Sequence, residues 1–386
     1  MKVLFVHNSA DIYGASRSLL RLAEALPPLG FHPSFLLPAE GPLGAWARAA
    51  GVPVRIQSSL RILHRNILNP IGLTPFFLGF PSAVLETARW IRQEGFDLVH
   101  TNLGTVVSSA WSAKCAGVPH VWHVRDWFQE FGFLWRPYAS YILGFSQKVI
   151  CVSKPIARQF PSSPKVCVLH NGLDLAKFPP VEQAERAEAR RRFGFGPEEK
   201  VIGSVGRIKF VRKGQEHLLH AAHLLRQQGL ALRLLFAGGA APGSENHVPR
   251  MKALARDLGL EGSVVFAGEM PDPRPAYAAM DVFVLPSAQP EPFGGVVLEA
   301  MALQLPVVAT AIGGTPEQVV SGVTGFLVPP ADPDALAKKL QALCKDPALC
   351  SQMGRAGRAR IGAHLSLNQT AQGVASIYRQ ALARIP

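Results

Sequence analysis

Two carboxylates and a glycine pair stand close together in the run Pro286-Ser287-Ala288-Gln289-Pro290-Glu291-Pro292-Phe293-Gly294-Gly295-Val296-Val297-Leu298-Glu299. Gly294 and Gly295 carry no side chain, so backbone N–H groups at the start of a following helix, read at residues 296–303, can approach an anion, which the helix dipole also favours. A diphosphate suits that end. With the helix starting near Gly295, Glu299 falls about one turn in while Glu291 stays on the loop. The two carboxylates then address different parts of one ligand and need not form an acid/base pair. Carboxylates accept hydrogen bonds from vicinal hydroxyls, so a sugar at one end and a ribose at the other fits both. Taken alone, the same pair also fits a solvated helix start.

The elements that must position these residues follow from hydrophobic patterning. Residues 279–285 read as a short apolar run, broken only by Asp281 and ended by Pro286, as a buried parallel strand feeding a loop would. Residues 201–205 form another, followed by Gly206-Arg207 and then Lys213-Gly214. Further along stand Asn171-Gly172-Leu173-Asp174 before Phe178, strand ends at Gly239 and Gly268, and Gly313-Gly314-Thr315-Pro316-Glu317 followed by Gly322 and Gly325. Each glycine-containing piece alone is weak, because glycine ends strands and caps helices in any α/β protein.

In order and spacing these pieces resemble the retaining glycosyltransferases of family 4 (glycosyl transferases group 1), with the Glu-any-seven-Glu signature at Glu291 and Glu299. The match spans most of residues 165–330. The resemblance implies a GT-B fold, an α/β architecture of two Rossmann-like doubly wound domains facing across a cleft. It also implies that Arg207 and Lys213 clamp the donor diphosphate, that Phe293, Gly294, Gly295 and Glu299 bind the donor, and that Glu291 positions the sugar. The chemistry agrees, since sugar–nucleotide cleavage leaves growing negative charge on the diphosphate, which fixed cations stabilise more in the transition state than in the ground state. No metal and no cofactor is then required. Lys209 and Arg212 read as solvated loop charges.

The N-terminal half resembles the family more loosely. A strand at residues 3–6 leads into a loop through Tyr13-Gly14-Ala15 and a helix from about Ser16 to Leu26, which puts Gly14 beside the donor phosphates. One glycine is no G-x-G-x-x-G fingerprint, so the loop does not support a dinucleotide site. Residues 97–102 and 118–126 read as two more strands running into loops. His123 matches the family position that contacts the transferred sugar, and Arg125 and Asp126 follow closely.

A chain of 386 residues with 48% hydrophobic content can bury two sizeable cores. The expected organisation is an acceptor-side Rossmann-like domain at residues 1–180, a nucleotide-sugar-binding Rossmann-like domain at 181–365, and a terminal helix at 366–386 returning to the first. Pro179-Pro180, the charged stretch 182–192 and Gly194-Phe195-Gly196-Pro197 read as a linker. Five cysteines in no C-x-x-C pair give neither a disulfide framework nor a zinc pattern, and the N-terminal apolar run is too short for a signal peptide and reads as a first strand. The expected setting is cytoplasmic, with peripheral contact on the inner face of the cell membrane.

The formal net charge is +13, and residues 1–180 hold 17 Lys/Arg against 9 Asp/Glu. Such a balance favours anionic partners. No zinc finger, basic zipper or RNP-like motif accompanies it, which argues against nucleic acid. Residues 66–85 carry no charge and are bracketed by Arg61, Arg65, Arg89 and Arg92, but Pro70, Pro75 and Pro81 interrupt them. The stretch fits either an interfacial or acceptor-lining segment against an anionic membrane or a buried loop and helix. Residues 127–145 are dense in aromatics, as an interface belt, a hydrophobic acceptor site or a packed core would be.

The resemblance implies a retaining enzyme that moves a sugar from a nucleoside diphosphate sugar, a UDP sugar among them, to an acceptor hydroxyl on a glycan or lipid-linked acceptor. Polysaccharide, lipopolysaccharide or glycolipid assembly is the matching setting. The alternatives are a sugar-nucleotide epimerase or phosphorylase on the same fold, and a non-catalytic partner subunit or scaffold.

Overall fold

The computed structural model describes residues 1–63, 70–128, 132, 134–240 and 243–383. They divide into two compact units: unit 1, residues 1–172 with 367–386, and unit 2, residues 173–366. Arg65, residues 66–69, Phe131 and Phe133 of the sequence reading lie outside the described residues.

Unit 1 alternates strands and helices as β1 (Lys2–Val6), α1 (Gly14–Ala25), β2 (His32–Leu37), α2 (Pro42–Ala49), β3 (Val54–Ile56), α3 (Pro70–Leu78), α4 (Phe80–Glu94), β4 (Leu98–Asn102), α5 (Ser108–Ala116), β5 (His120–Val124), α6 (Trp135–Phe145), β6 (Lys148–Cys151), α7 (Lys154–Ala157) and β7 (Val166–Val168). The strands form one parallel sheet in the order β3-β2-β1-β4-β5-β6-β7. Every residue of β4 and β5 is buried, as expected of a parallel sheet covered on both faces. Helix α1 begins at Gly14 itself, so the residue read as loop is the first of the helix.

Unit 2 continues with α8 (Gln183–Phe193), β8 (Val201–Val205), α9 (Gln215–Gln227), β9 (Arg233–Ala237), α10 (His247–Asp257), β10 (Val264–Gly268), α11 (Arg274–Ala279), β11 (Val282–Leu285), α12 (Gly295–Ala302), β12 (Val307–Thr310), α13 (Thr315–Gln318), β13 (Gly325–Val328), α14 (Pro333–Lys345) and α15 (Pro347–His364). Its parallel sheet runs β10-β9-β8-β11-β12-β13. The last helix, α16 (Leu367–Leu382), belongs to unit 1, where Tyr378 sets its hydroxyl 2.7 Å from His100 Nδ1 and its ring edge-on to Phe31.

Two sequence readings change here. Ala279 closes α11, and the strand begins only at Val282. The charged stretch read as linker is α8, docked on unit 2: Arg186 and Arg190 reach the Asp281 carboxylate at 2.5 and 2.8 Å, and Asp281 also accepts from Val201 N. Of the readings open for residues 127–145, the packed core is the one most of the described aromatics fit. Phe128 and Trp135 stack at 4.8 Å and are buried, while Tyr138 and Tyr141 donate to the carbonyls of Gly104 and Val107. Of the uncharged stretch, Phe77 and Leu78 at the end of α3 and Leu85 on α4 are 64, 79 and 48% exposed. Arg89 and Arg92 are exposed on α4, whereas Arg61 packs its guanidinium against Gly79.

Candidate active site

In unit 2 the strand order reverses direction between β8 and β11, and ligands of open α/β sheets bind outside the carboxyl ends of strands at such a point. The loops leaving β8 and β11 carry the residues singled out above. They are sewn together by backbone: Ala288 N and Gln289 N both donate to Arg212 O at 3.1 Å. Gly214, at φ +63°, lies so close that a Cβ there would come 2.0 Å from Pro286 O. The loop after β12 joins them, with Gly314 N donating to Glu291 O at 2.8 Å and Gly313, at φ +61°, packed where a Cβ would meet the same oxygen at 2.1 Å. These glycines permit close approach of three loops, which a side chain would forbid.

The central pair is Lys213 and Glu291, 2.6 Å apart and both partly exposed. Ser287 Oγ donates to the same carboxylate oxygen at 3.3 Å, and Thr310 Oγ1 holds Ser287 O at 2.7 Å. Burial alone would raise the Glu291 carboxyl, but the Lys213 ammonium, with Arg212 and the Ser287 hydroxyl, holds it below the usual carboxylate range. It is therefore ionised at neutral pH. Arg212, read as a solvated charge, contributes to that field and supplies the carbonyl that ties the loops.

Helix α12 starts at Gly295 with Gly294 as its N-cap and no side chain capping it, and Gln318 Nε2 fixes Gly294 O at 3.0 Å. A Cβ at Gly294 would press on Leu285 at 3.1 Å, whereas one at Gly295 would meet open space. Phe293 is buried beneath this start. Glu299, one turn in, is 6% exposed and accepts from the Tyr277 hydroxyl at 3.1 Å. Arg207 is exposed, and its carbonyl accepts from Gln215 Nε2 at 3.1 Å. Glu291, Lys213, Phe293, Gly294, Gly295, Glu299 and Arg207 thus all lie at the carboxyl edge of one sheet. Among the described residues no cluster of three His, Cys, Asp or Glu could hold a metal ion.

Gly14 and His123 belong to unit 1. Gly14 is exposed at the first turn of α1, and a Cβ there would meet nothing. His123, in β5, is fully buried, with its Nε2 lacking a hydrogen-bond partner among the described residues. Around it runs a polar network that the sequence reading did not assemble. Asp11 accepts from Ser16 Oγ at 2.8 Å, Ser16 sits 3.0 Å from His7 Nε2, His7 Nδ1 meets Asn102 Nδ2 at 3.0 Å, and Asn102 Oδ1 accepts from Arg125 Nε at 2.7 Å. Burial pushes the Asp126 carboxyl up to about 6, against the pull of the Gly104 N–H and Arg125. The available signal was the crowding of His, Asn and Arg at strand ends, where polar residues are unusual unless bonded to one another.

The family model for glycosyl transferases group 1 matches residues 185–360, and that for glycosyltransferase family 4 matches residues 12–177. A D-inositol 3-phosphate glycosyltransferase of Corynebacterium urealyticum is 36% identical over 88% of this chain and 84% of that protein. One of Kribbella flavida is 38% identical over 80% of this chain and 79% of its own length. Among solved structures, Anabaena HepE in complex with UDP-glucose superposes with a TM-score of 0.84 at 24% identity, over 98% of this chain and 99% of that one.

Proposed function

The chain belongs to the glycosyl transferases group 1 of glycosyltransferase family 4, a glycosyltransferase of GT-B type, and we propose that it transfers a sugar from a nucleoside diphosphate sugar, with UDP as the nucleotide, to an acceptor hydroxyl with retention. The observation that carries this reading is the Lys213–Glu291 pair at the switch point of unit 2, beside an uncapped glycine helix start. In the proposed chemistry Arg207 and Lys213 take up the charge that develops on the leaving diphosphate. The N–H groups at the start of α12 receive the phosphates, Glu299 holds the ribose hydroxyls, and Glu291, kept ionised by Lys213, accepts from the sugar hydroxyls. The departing phosphate helps deprotonate the acceptor on the same face. Gly14 and His123 are assigned to donor and sugar contact by the family resemblance. No step uses a metal, so transfer is to persist in chelator.

Acceptors are proposed among glycans and lipid-linked saccharides, as in polysaccharide, lipopolysaccharide or glycolipid assembly, and the curated relatives' name adds a phosphorylated cyclitol to the panel to be tested. The test is release of free nucleoside diphosphate from a panel of donors, with and without each acceptor and with chelator throughout. Selective release that Lys213→Ala abolishes supports the reading. Release from no donor with any acceptor, together with no nucleotide binding, contradicts it.

Peripheral contact with an anionic membrane is part of the same proposal. It is supported by the exposed Phe77 and Leu78 at the end of α3 and by Leu85, Arg89 and Arg92 exposed on α4. No described helix is long and apolar enough to cross a membrane. Flotation with anionic vesicles that weakens on neutralising Arg89 and Arg92 supports this contact, and equal binding to neutral vesicles counts against it.

A further inference from the structure

Arg125 lies one residue past β5 and is 8% exposed. Its three nitrogens each have a described partner: Nε donates to Asn102 Oδ1 at 2.7 Å, Nη1 to Asn171 Oδ1 at 2.5 Å, and Nη2 to His123 Nδ1 at 3.4 Å. The two carboxamides fix the plane of the guanidinium, and a guanidinium has donors only. The ring nitrogen facing it must therefore present its lone pair, which leaves the imidazole proton on Nε2. Among the described residues that buried Nε2 has no hydrogen-bond partner. Leaving a buried N–H unpaired is costly, and a bound ligand oxygen would supply the missing acceptor.

We infer that Arg125 is a positioning residue for His123: it fixes the imidazole as the Nε2–H tautomer and makes His123 a hydrogen-bond donor to a ligand oxygen rather than a proton carrier. This rests on the assignment of His123 to sugar contact made above. The surrounding groups act in the same sense. Burial first, then Arg125, then His100 on β4 drive His123 well below the ordinary histidine range. His100, whose ring lies 5.3 Å from His123, is itself backed by the Tyr378 hydroxyl from α16.

The test reads the tautomer directly and needs no substrate, so its failure is distinct from failure of the transferase reading. In full-length protein labelled with ¹⁵N-histidine, two-bond proton–nitrogen correlations identify His123 by its loss in H123Q. Between about pH 6 and pH 8.5 the wild-type ring is to show Nε2–H alone, without titration. An Nδ1–H signal, or an imidazolium signal growing towards pH 6, overturns the inference. In folded Arg125→Gln both tautomers are to appear, and an unchanged spectrum removes Arg125's role. Should that variant not fold, Arg125→Lys, which keeps the charge but cannot span both carboxamides and the ring, takes its place. In transfer, Gln sets its amide nitrogen near the Nε2 position and Asn near Nδ1. H123Q is to stay within about tenfold of wild type and H123N to lose about a hundredfold, and equal losses contradict the donor role.

Discussion

Glu291 is the residue on which the proposed chemistry turns, and its environment decides what it can do. A carboxylate held ionised by an ammonium at 2.6 Å is a hydrogen-bond acceptor, not an acid. Replacing it with alanine leaves the loops joined through backbone bonds to Arg212 and Gly314. Glu291→Ala is therefore expected to cut transfer about 10²–10³-fold while circular dichroism and melting temperature stay close to wild type. Activity within about threefold of wild type would remove Glu291 from the site. Lys213 and Glu291 were each legible as candidates, but their pairing was not, because the two stand 78 residues apart and only the sheet order brings them together. Arg212 was misread for a related reason. Sequence advertises its charge, whereas the fold also uses its carbonyl.

At the scale of elements, the alternation of strands with helices and both parallel sheets followed from short apolar runs ended by glycine or proline. Helix α8 was harder to place. It offers no apolar stripe, and what docks it is Asp281, some 90 residues away, through Arg186 and Arg190. The glycines of the three site loops carry a prediction that belongs to this scale. Gly214 combines positive φ with a neighbour that a Cβ would strike at 2.0 Å, and Gly313 does the same against Glu291 O. Alanine at either position must push the β8 or β12 loop away from the β11 loop. Each is expected to weaken nucleotide binding at least tenfold while unit 1, read by its tryptophans, melts unchanged. Gly262→Ala, at a position of unit 2 outside these loops where a Cβ would meet nothing, serves as the control for a substitution that crowds no loop. Equal affinity in all three would show that loop contact does not shape the site.

The molecule as a whole carries its buried histidines in unit 1. His7, His100, His120 and His123 are at most 2% exposed. Unfolded, each takes up a proton near 6.5. Folded, burial lowers His7 to about 4 and His120 to about 3, and holds His100 and His123 well below the ordinary range. The unfolded chain thus binds more protons as pH falls through 6.5, and folded stability is lost in that direction. Asp126, raised to about 6 in the folded state, opposes with one proton. Four lowered histidines against one raised carboxyl leave a net loss of folded stability as pH falls from 7 towards 5. All six tryptophans, at 46, 90, 111, 122, 127 and 135, lie in unit 1, so their fluorescence reports this unit alone. Melts followed by tryptophan emission are expected to shift steeply downward between pH 7 and pH 5, and a pH-independent midpoint would contradict the neutral, buried state of these rings. The central claim, that the switch point of unit 2 is the donor site, is tested most directly by calorimetric titration of UDP into wild type and Lys213→Ala in the presence of chelator. Saturable binding by wild type, weakened at least tenfold by the substitution, is the predicted result. Equal affinity in the two proteins, or no binding by either, would contradict it.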